Sequence, residues 1–206
     1  MSKAPEEGNI WEWRAFGRIT DELARKVKSY PIRFGISNLP ARDIYLIPPI
    51  SNQNVKLRWN FTGLYLKFKL LIDTRLGQIE LYSESVQYTY KFPISFQTLK
   101  EAARLLQVAL PDAALLSQAF TEDETMRALA AASPPVVRVD VKKTRSQYQF
   151  DGGWIEMAGA VCGKHRAQTI SIHSDKLEVV ERMIESLQPG DELEVMNYVE
   201  ACRRWG

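Results

Sequence analysis

The stretch Leu64-Tyr65-Leu66-Lys67-Phe68-Lys69-Leu70 alternates apolar and polar side chains without a break. Residues two apart in a β-strand share a face, so Tyr65, Lys67 and Lys69 lie on one side and the apolar residues on the other. The alternation therefore predicts a strand with one apolar and one basic face. It decides the fold class, because a helix would mix the two kinds of side chain on every face.

The same arrangement recurs elsewhere in the chain. It is found in three further pairs of residues two apart: Lys56 and Arg58, Lys143 and Arg145, and Glu12 and Arg14. Such alternation usually marks a solvent-exposed face above a core. Because basic pairs recur on at least three predicted strands, we instead expect a concave basic face whose field attracts small polyanions.

The composition excludes several classes of protein. The chain has 206 residues, of which 45% are hydrophobic and 25% charged, so it is not disordered, collagenous or a coiled coil as a whole. No apolar run is long enough for a membrane span. Lysine and arginine total 27 against 25 acidic residues, which gives no strong nucleic-acid signal. The polar start MSKAPEEGN lacks a signal peptide's apolar region, which predicts a cytoplasmic location with Cys162 and Cys202 reduced.

The chain is predicted to be a single α+β domain spanning residues 1–206, with mainly antiparallel strands. Besides the first strand, Ile10–Phe16, the predicted strands are Asp43–Ile47, Asn54–Asn60, Leu64–Ile72, Gln78–Ser83, Val86–Phe92, Val136–Lys143, Ser146–Phe150, Trp154–Val161 and Arg166–His173. Helices are predicted at Asp21–Ser29, after the N-cap Thr20, at Asp175–Leu187, after the N-cap Ser174, and at the end of the chain. A helical insert is predicted at about residues 95–133, with N-caps at Ser95 and Thr121 and a further helix starting at Pro111.

Three glutamates lie on predicted strands and are candidate metal ligands: Glu12, Glu80 and Glu156. Carboxylates among the cations would either offset their repulsion or hold a divalent metal, although surface glutamates are equally expected. The only histidines are His165 and His173, and neither lies in a nucleophile motif. A serine or cysteine hydrolase is therefore disfavoured.

These residues resemble the motifs of the CYTH domain, the triphosphate tunnel metalloenzyme superfamily. Ile10–Arg14 stands in place of the family's Glu-x-Glu-x-Lys strand, and residues 55–58 and 64–67 are similar to its basic strands. Lys143-Thr144-Arg145-Ser146-Gln147-Tyr148 is the closest match, to a Lys-x-Arg strand with a tyrosine soon after. The resemblance extends from about Asn9 to Tyr198.

The resemblance implies an eight-stranded antiparallel closed β-barrel, or tunnel, with flanking helices. It implies that cations inside the tunnel bind phosphates: Lys56, Arg58, Lys67, Lys143 and Arg145, with Lys69 and Arg14 as second-line contacts. It also implies a metal, Mg²⁺ or Mn²⁺, on Glu12, Glu80 and Glu156.

The chain departs from the family mainly in its acidic residues. Ile10, Ala158, Ser171 and His173 stand where the family often has acids. We therefore expect a protein that binds a triphosphate-bearing anion, inorganic or nucleotide-like, with weak metal affinity and weak or altered phosphohydrolase activity. One alternative is a fully active triphosphatase or adenylate cyclase.

A further alternative, from a different class, is a non-catalytic protein-interaction module. In that case Trp11, Trp13 and Trp154 would form an exposed interface, whereas their other interpretation is core packing. The helical insert is expected either to cap the tunnel or to form a homodimer.

Overall fold

The structure, a computed structural model, describes residues 8–35, 37–60, 62–83, 88–112 and 118–206. Its strands are β1 (Asn9–Gly17), β2 (Leu39–Ile47), β3 (Asn54–Asn60), β4 (Gly63–Arg75), β5 (Ile79–Ser83), β6 (Thr89–Lys91), β7 (Ile94–Ser95), β8 (Ala119–Phe120), β9 (Val137–Phe150), β10 (Gly153–Cys162), β11 (His165–Ser174) and β12 (Leu193–Val195). Its helices are α1 (Asp21–Lys28), α2 (Phe96–Leu106), α3 (Glu122–Ala130), α4 (Leu177–Leu187) and α5 (Tyr198–Trp205). A short 3₁₀ helix covers Arg33–Gly35.

Eight strands form a closed antiparallel barrel. They follow the order β11-β10-β9-β2-β3-β4-β5-β1, and β1 closes the barrel by pairing with β11 from Trp11 to Gly17. β12 extends the sheet beside the end of β1, and β6 pairs with β4. The predicted α+β fold with a closed antiparallel barrel and flanking helices is confirmed.

Helices cover two parts of the outer face of the barrel. α2 and α3 pack over β2, β3 and β4, where Leu57, Leu66 and Leu99 are fully buried. α1 and α4 cover β1 and β11, and Trp11 and Trp13 lie in that core. The two tryptophans are therefore core residues, and the interaction-module alternative loses them as an exposed interface.

A third cluster of buried apolar side chains, besides the two under the helices, closes one end of the barrel. α5 inserts Tyr198 and Cys202 against Phe16 of β1 and Val141 of β9. The Phe16 and Tyr198 rings meet edge to face at 5.1 Å between centroids. Residues that line the barrel wall are therefore reached from the end away from α5, which we call the open end.

Several predicted boundaries differ from the observed ones. Val136–Lys143 and Ser146–Phe150 form one strand, because β9 pairs with β2 and β10 on both sides through Arg145. α4 begins at Leu177 rather than Asp175, and the predicted N-cap Ser174 is wrong. The Ser174 hydroxyl accepts from the Lys176 amide in a turn before the helix, and Lys176 is the N-cap. The N-caps Thr20, Ser95 and Thr121 are confirmed.

Two other predicted elements lie partly outside the described residues. These are the start of the Val86–Phe92 strand, of which β6 is described, and most of the helix predicted after Pro111. In the part of the chain that the structure does describe, no helix has the length and apolar character needed to cross a membrane.

Candidate functional site

The barrel encloses a cavity of about 110 Å³, which we call the central cavity. Strand pairing places basic side chains beside one another on its wall; Lys56, for example, lies opposite Lys67 in the β3–β4 register. Within the described part of the chain, seven cationic side chains line it: Arg14, Lys56, Arg58, Lys67, Lys69, Lys143 and Arg145. The structure thus brings together every cation that the sequence predicts as a phosphate contact, while that role itself stays a prediction.

The cations are distributed by depth. Arg14, Lys56, Lys69 and Lys143 are buried, with 5% to 8% of their surface exposed. Arg58 and Arg145 lie nearer the open end, and their side chains are 27% and 26% exposed. An anion entering from the open end would meet the two guanidinium groups before the buried ammonium groups.

Asp43 is the main counterion of the inner cations. It is fully buried on β2, and its carboxylate accepts hydrogen bonds from Arg58 at 2.7 and 2.8 Å and from Lys143 at 3.0 Å. Lys56 lies 3.6 Å away. Burial by itself raises the pKa of Asp43, but the three cations outweigh it and hold that pKa far below its usual range. Sequence reasoning missed this residue, although Asp43 has the same parity as Tyr45, whose hydroxyl accepts from Lys56 and Lys143.

Two of the predicted metal ligands are held in ion pairs on the cavity wall. Glu12 accepts a hydrogen bond from Arg14 at 2.6 Å and another from Lys69. Burial raises the pKa of Glu12, yet Lys69 and Arg14 leave it well below the ordinary value. Glu156 contacts Arg145 at 3.2 Å and Arg14 at 3.5 Å. Burial raises its pKa too, but Arg14 and Arg145 outweigh it and lower the pKa to about 2.

The third predicted ligand, Glu80, pairs with Glu12 in the β1–β5 register but has different hydrogen-bond partners. It lines a neighbouring cavity of about 170 Å³ and accepts hydrogen bonds from Tyr82 and Asn197, both at 2.7 Å. Burial leaves the pKa of Glu80 above its ordinary value, whereas nearby cations hold the pKa values of Glu12 and Glu156 below theirs. Glu80 therefore lies beside Glu12 on the paired strand, but it does not share the cation partners of Glu12 and Glu156. Among the described residues no group of three or more histidine, cysteine or acidic side chains is positioned to hold a metal ion.

His173 also lines the central cavity, where its neighbours keep it neutral. Its Nε2 atom lies 2.8 Å from the Ser171 hydroxyl, and its ring stacks on Trp154 at 4.7 Å. Burial is the main cause that lowers its pKa, to about 4, and Lys69 and Arg14 add to the effect. The imidazole is therefore uncharged at neutral pH and does not add to the positive charge.

Two observations indicate that polar groups of the central cavity are incompletely satisfied by the described residues. Burial is the first cause that holds the pKa of Lys56 well below its ordinary value, and Arg58 and Lys143 add to it against the pull of Asp43. Some buried polar atoms of the described residues also have no hydrogen-bond partner, and four of them belong to residues that line this cavity: Asn54 Oδ1, Arg145 Nε, His173 Nδ1 and the Tyr198 hydroxyl. Buried polar atoms are normally paired, so these four are suited to a polar ligand.

Comparison with known proteins supports the fold. No family model matches the chain, and neither does any curated protein. A solved structure of a candidate adenylate cyclase from Bacillus halodurans matches it with a TM-score of 0.56 and 10% sequence identity, over 94% of this chain and 98% of that one. At this identity the match shows a shared fold, the closed antiparallel barrel with flanking helices.

Two further solved structures match this chain with lower TM-scores. A conserved hypothetical protein from Pyrococcus furiosus has a TM-score of 0.49 and 15% identity, over 92% of this chain and 98% of that one. A candidate adenylyl cyclase from Hippeastrum, described as having a dominant triphosphatase activity, has a TM-score of 0.47 and 9% identity, over 95% of both chains. Identities this low concern the fold alone.

Proposed function

We propose that the central cavity binds the triphosphate group of a small anion, inorganic or nucleotide-like. The observation that carries the proposal is the excess of positive charge inside a closed barrel. Among the described residues, seven cationic side chains line the cavity, and the carboxylates that form ion pairs with them there are those of Glu12, Asp43 and Glu156. Closely spaced buried cations repel one another and lose hydration, so a bound polyanion stabilises the arrangement.

The arrangement of donors is suited to a chain of phosphates. Arg145 and Arg58 present guanidinium groups near the open end, and such groups form paired, charge-assisted hydrogen bonds with phosphate oxygens. Lys143 and Lys56 present ammonium groups deeper in the cavity, beside the Tyr45 hydroxyl. Arg145 Nε, which has no partner within the described protein, is available to a phosphate oxygen.

In this proposal the cavity binds the triphosphate group mainly through its cationic side chains rather than through a metal ion. Glu12 and Glu156 already accept hydrogen bonds from Arg14, Lys69, Arg145 and Gln147, and Glu80 lies in the neighbouring cavity. A hard metal such as Mg²⁺ takes carboxylates together with phosphate oxygens and water, and this set of donors does not fit that requirement. We therefore expect slow or altered hydrolysis.

Calorimetry with inorganic triphosphate in excess EDTA tests this proposal. The variant Lys143→Ala removes a buried cavity ammonium, and Lys142→Ala is a matched control because Lys142 is exposed on the opposite face of β9. We expect triphosphate to bind wild type without metal, and Lys143→Ala to weaken binding about tenfold or more, as loss of a charge-assisted hydrogen bond does. Lys142→Ala should leave binding unchanged.

Three results would contradict the proposal. One is that wild type does not bind triphosphate in EDTA, and another is that the two lysine variants have equal effects. The third is rapid Mg²⁺-dependent phosphate release that Glu156→Ala abolishes, which would instead support the alternative of a fully active triphosphatase or cyclase.

The whole chain is proposed to act as one unit, including the helical insert at about residues 95–133. Within that insert α2 and α3 bury Leu99 and Leu129 against the outer face of the barrel. A role in supporting the barrel wall fits this packing better than a role as a cap over the open end. A homodimer and a cytoplasmic location stay predictions.

A further inference from the structure

A stack of flat side chains leads out of the central cavity. His173 and Trp154 both line the cavity, and their rings are parallel within 3°. The Arg33 guanidinium lies 4.0 Å from the centre of the Trp154 ring and 4.6 Å from that of the Phe34 ring. The four side chains therefore connect the cavity with the surface through π-contacts.

Phe34, at the outer end of this stack, has an exposed side chain and a rare backbone conformation. Its side chain is 75% exposed, and its φ of 58° lies in the left-handed region, which few non-glycine residues adopt. Burial of the ring does not offset the unfavourable backbone conformation, because most of the ring is exposed to water. Strained residues of this kind cluster at ligand-binding sites.

We propose that Arg33 and Phe34 form a stacking platform for a planar aromatic group carried by the triphosphate, so that the ligand is a nucleoside triphosphate rather than inorganic triphosphate. This rests on the proposed function, because the triphosphate group has to occupy the central cavity. The platform adjoins Trp154 on the cavity wall, so the ring of a bound ligand lies outside the cavity while its phosphates lie inside. Aromatic rings and arginine planes are the surfaces on which proteins stack nucleobases.

The platform also discriminates by charge. The Arg33 guanidinium lies between the Trp154 and Phe34 rings, so a base stacks on the exposed Phe34 ring with this positive charge beneath it. A neutral nucleobase fits there, whereas a cationic ring such as the thiazolium of thiamine is repelled. We therefore expect ATP to bind more tightly than thiamine triphosphate.

Calorimetry in excess EDTA with ATP, inorganic triphosphate and thiamine triphosphate tests the platform. The variant is Phe34→Ala. The matched control is Leu76→Ala, because Leu76 is also apolar, 78% exposed and left-handed, with a φ of 51°, but lies in the β4–β5 turn. Phe34→Ala should weaken ATP binding about tenfold, the effect of losing one stacking contact, and should leave inorganic triphosphate unchanged. Phe34→Tyr should retain wild-type ATP affinity, and Leu76→Ala should change neither ligand.

The outcomes separate this inference from the proposed function. If wild type binds inorganic triphosphate but Phe34→Ala does not change ATP affinity, the platform is refuted and the proposed function stands. The same holds if Phe34→Ala weakens both ligands equally, or if thiamine triphosphate binds as tightly as ATP. If wild type binds none of the three ligands, the proposed function fails.

Discussion

Asp43 shows, at the scale of single residues, how the protein keeps several cations buried. Its carboxylate contacts Lys56, Arg58 and Lys143 at once. Without it, three positive groups would face one another in a site of low dielectric, where an unpaired charge is strongly unfavourable. This one side chain therefore contributes to stability as much as to the shape of the site.

We expect Asp43→Asn to lower the free energy of unfolding by about 3 kcal/mol or more, as removal of one partner of a buried ion pair does. Asp140→Asn is the control, because Asp140 lies on the adjacent strand β9 but pairs with Arg42 at the surface. The control should lose less than about 1 kcal/mol. Chemical denaturation measures both, and equal losses would show that Asp43 is not the counterion we describe.

Single residues also show what the sequence can predict about the site. Parity along each strand placed all seven cations on the inner face, because side-chain direction depends only on the strand's two-residue period. Parity does not give depth along the barrel, which depends on register and strand tilt. Glu80 pairs with Glu12 in the β1–β5 register, yet it lines the neighbouring cavity, which parity alone does not predict. Asp43 was missed because a lone aspartate in a strand carries no signal of burial.

At the scale of elements, helix α5 links the end of the barrel to both cavities. Its N-cap Asn197 accepts a hydrogen bond from the Glu200 amide at 2.9 Å and donates one to Glu80 at 2.7 Å. Asn197 lines both the central and the neighbouring cavity, and Tyr198 follows it with its ring 3.8 Å from Lys143 Nζ. The start of the helix thus fixes part of the cavity wall.

Because Asn197 has these two roles, its substitution should destabilise the protein more than the substitution of an ordinary N-cap residue. We expect Asn197→Ala to lower the free energy of unfolding by about 2 kcal/mol or more, since Glu80 also loses a partner. Thr121→Ala removes the exposed N-cap of helix α3, within the same kind of capping box, and should cost about 1 kcal/mol. Denaturation of the two variants gives the comparison. An equal or smaller loss for Asn197→Ala would contradict the link between α5 and Glu80.

Elements were predicted best where local chemistry determines them. The caps Thr20, Ser95 and Thr121 are read from one side chain and the amide three residues on, and they were correct. The continuity of β9 was not predicted, because its pairing with both β2 and β10 depends on residues distant in sequence. Such long-range pairing overrides local propensity.

At the scale of the whole molecule, closure of the sheet turns basic strand faces into an enclosed site. The pairing of β1 with β11 joins residues such as Trp11 and Ser174, which lie far apart in the sequence. Alternation indicates that each strand has a basic face, but not that these faces enclose a common space. The family resemblance supplied that expectation, and the barrel confirms it.

The central claim is that this enclosed positive charge binds triphosphate. A crystal structure of the protein grown with inorganic triphosphate and excess EDTA tests it most directly. The account predicts three phosphate groups inside the central cavity, with oxygens within hydrogen-bonding distance of Arg145, Arg58 and Lys143. Triphosphate located only on the outer face of the barrel, or an empty cavity at saturating triphosphate, would contradict it.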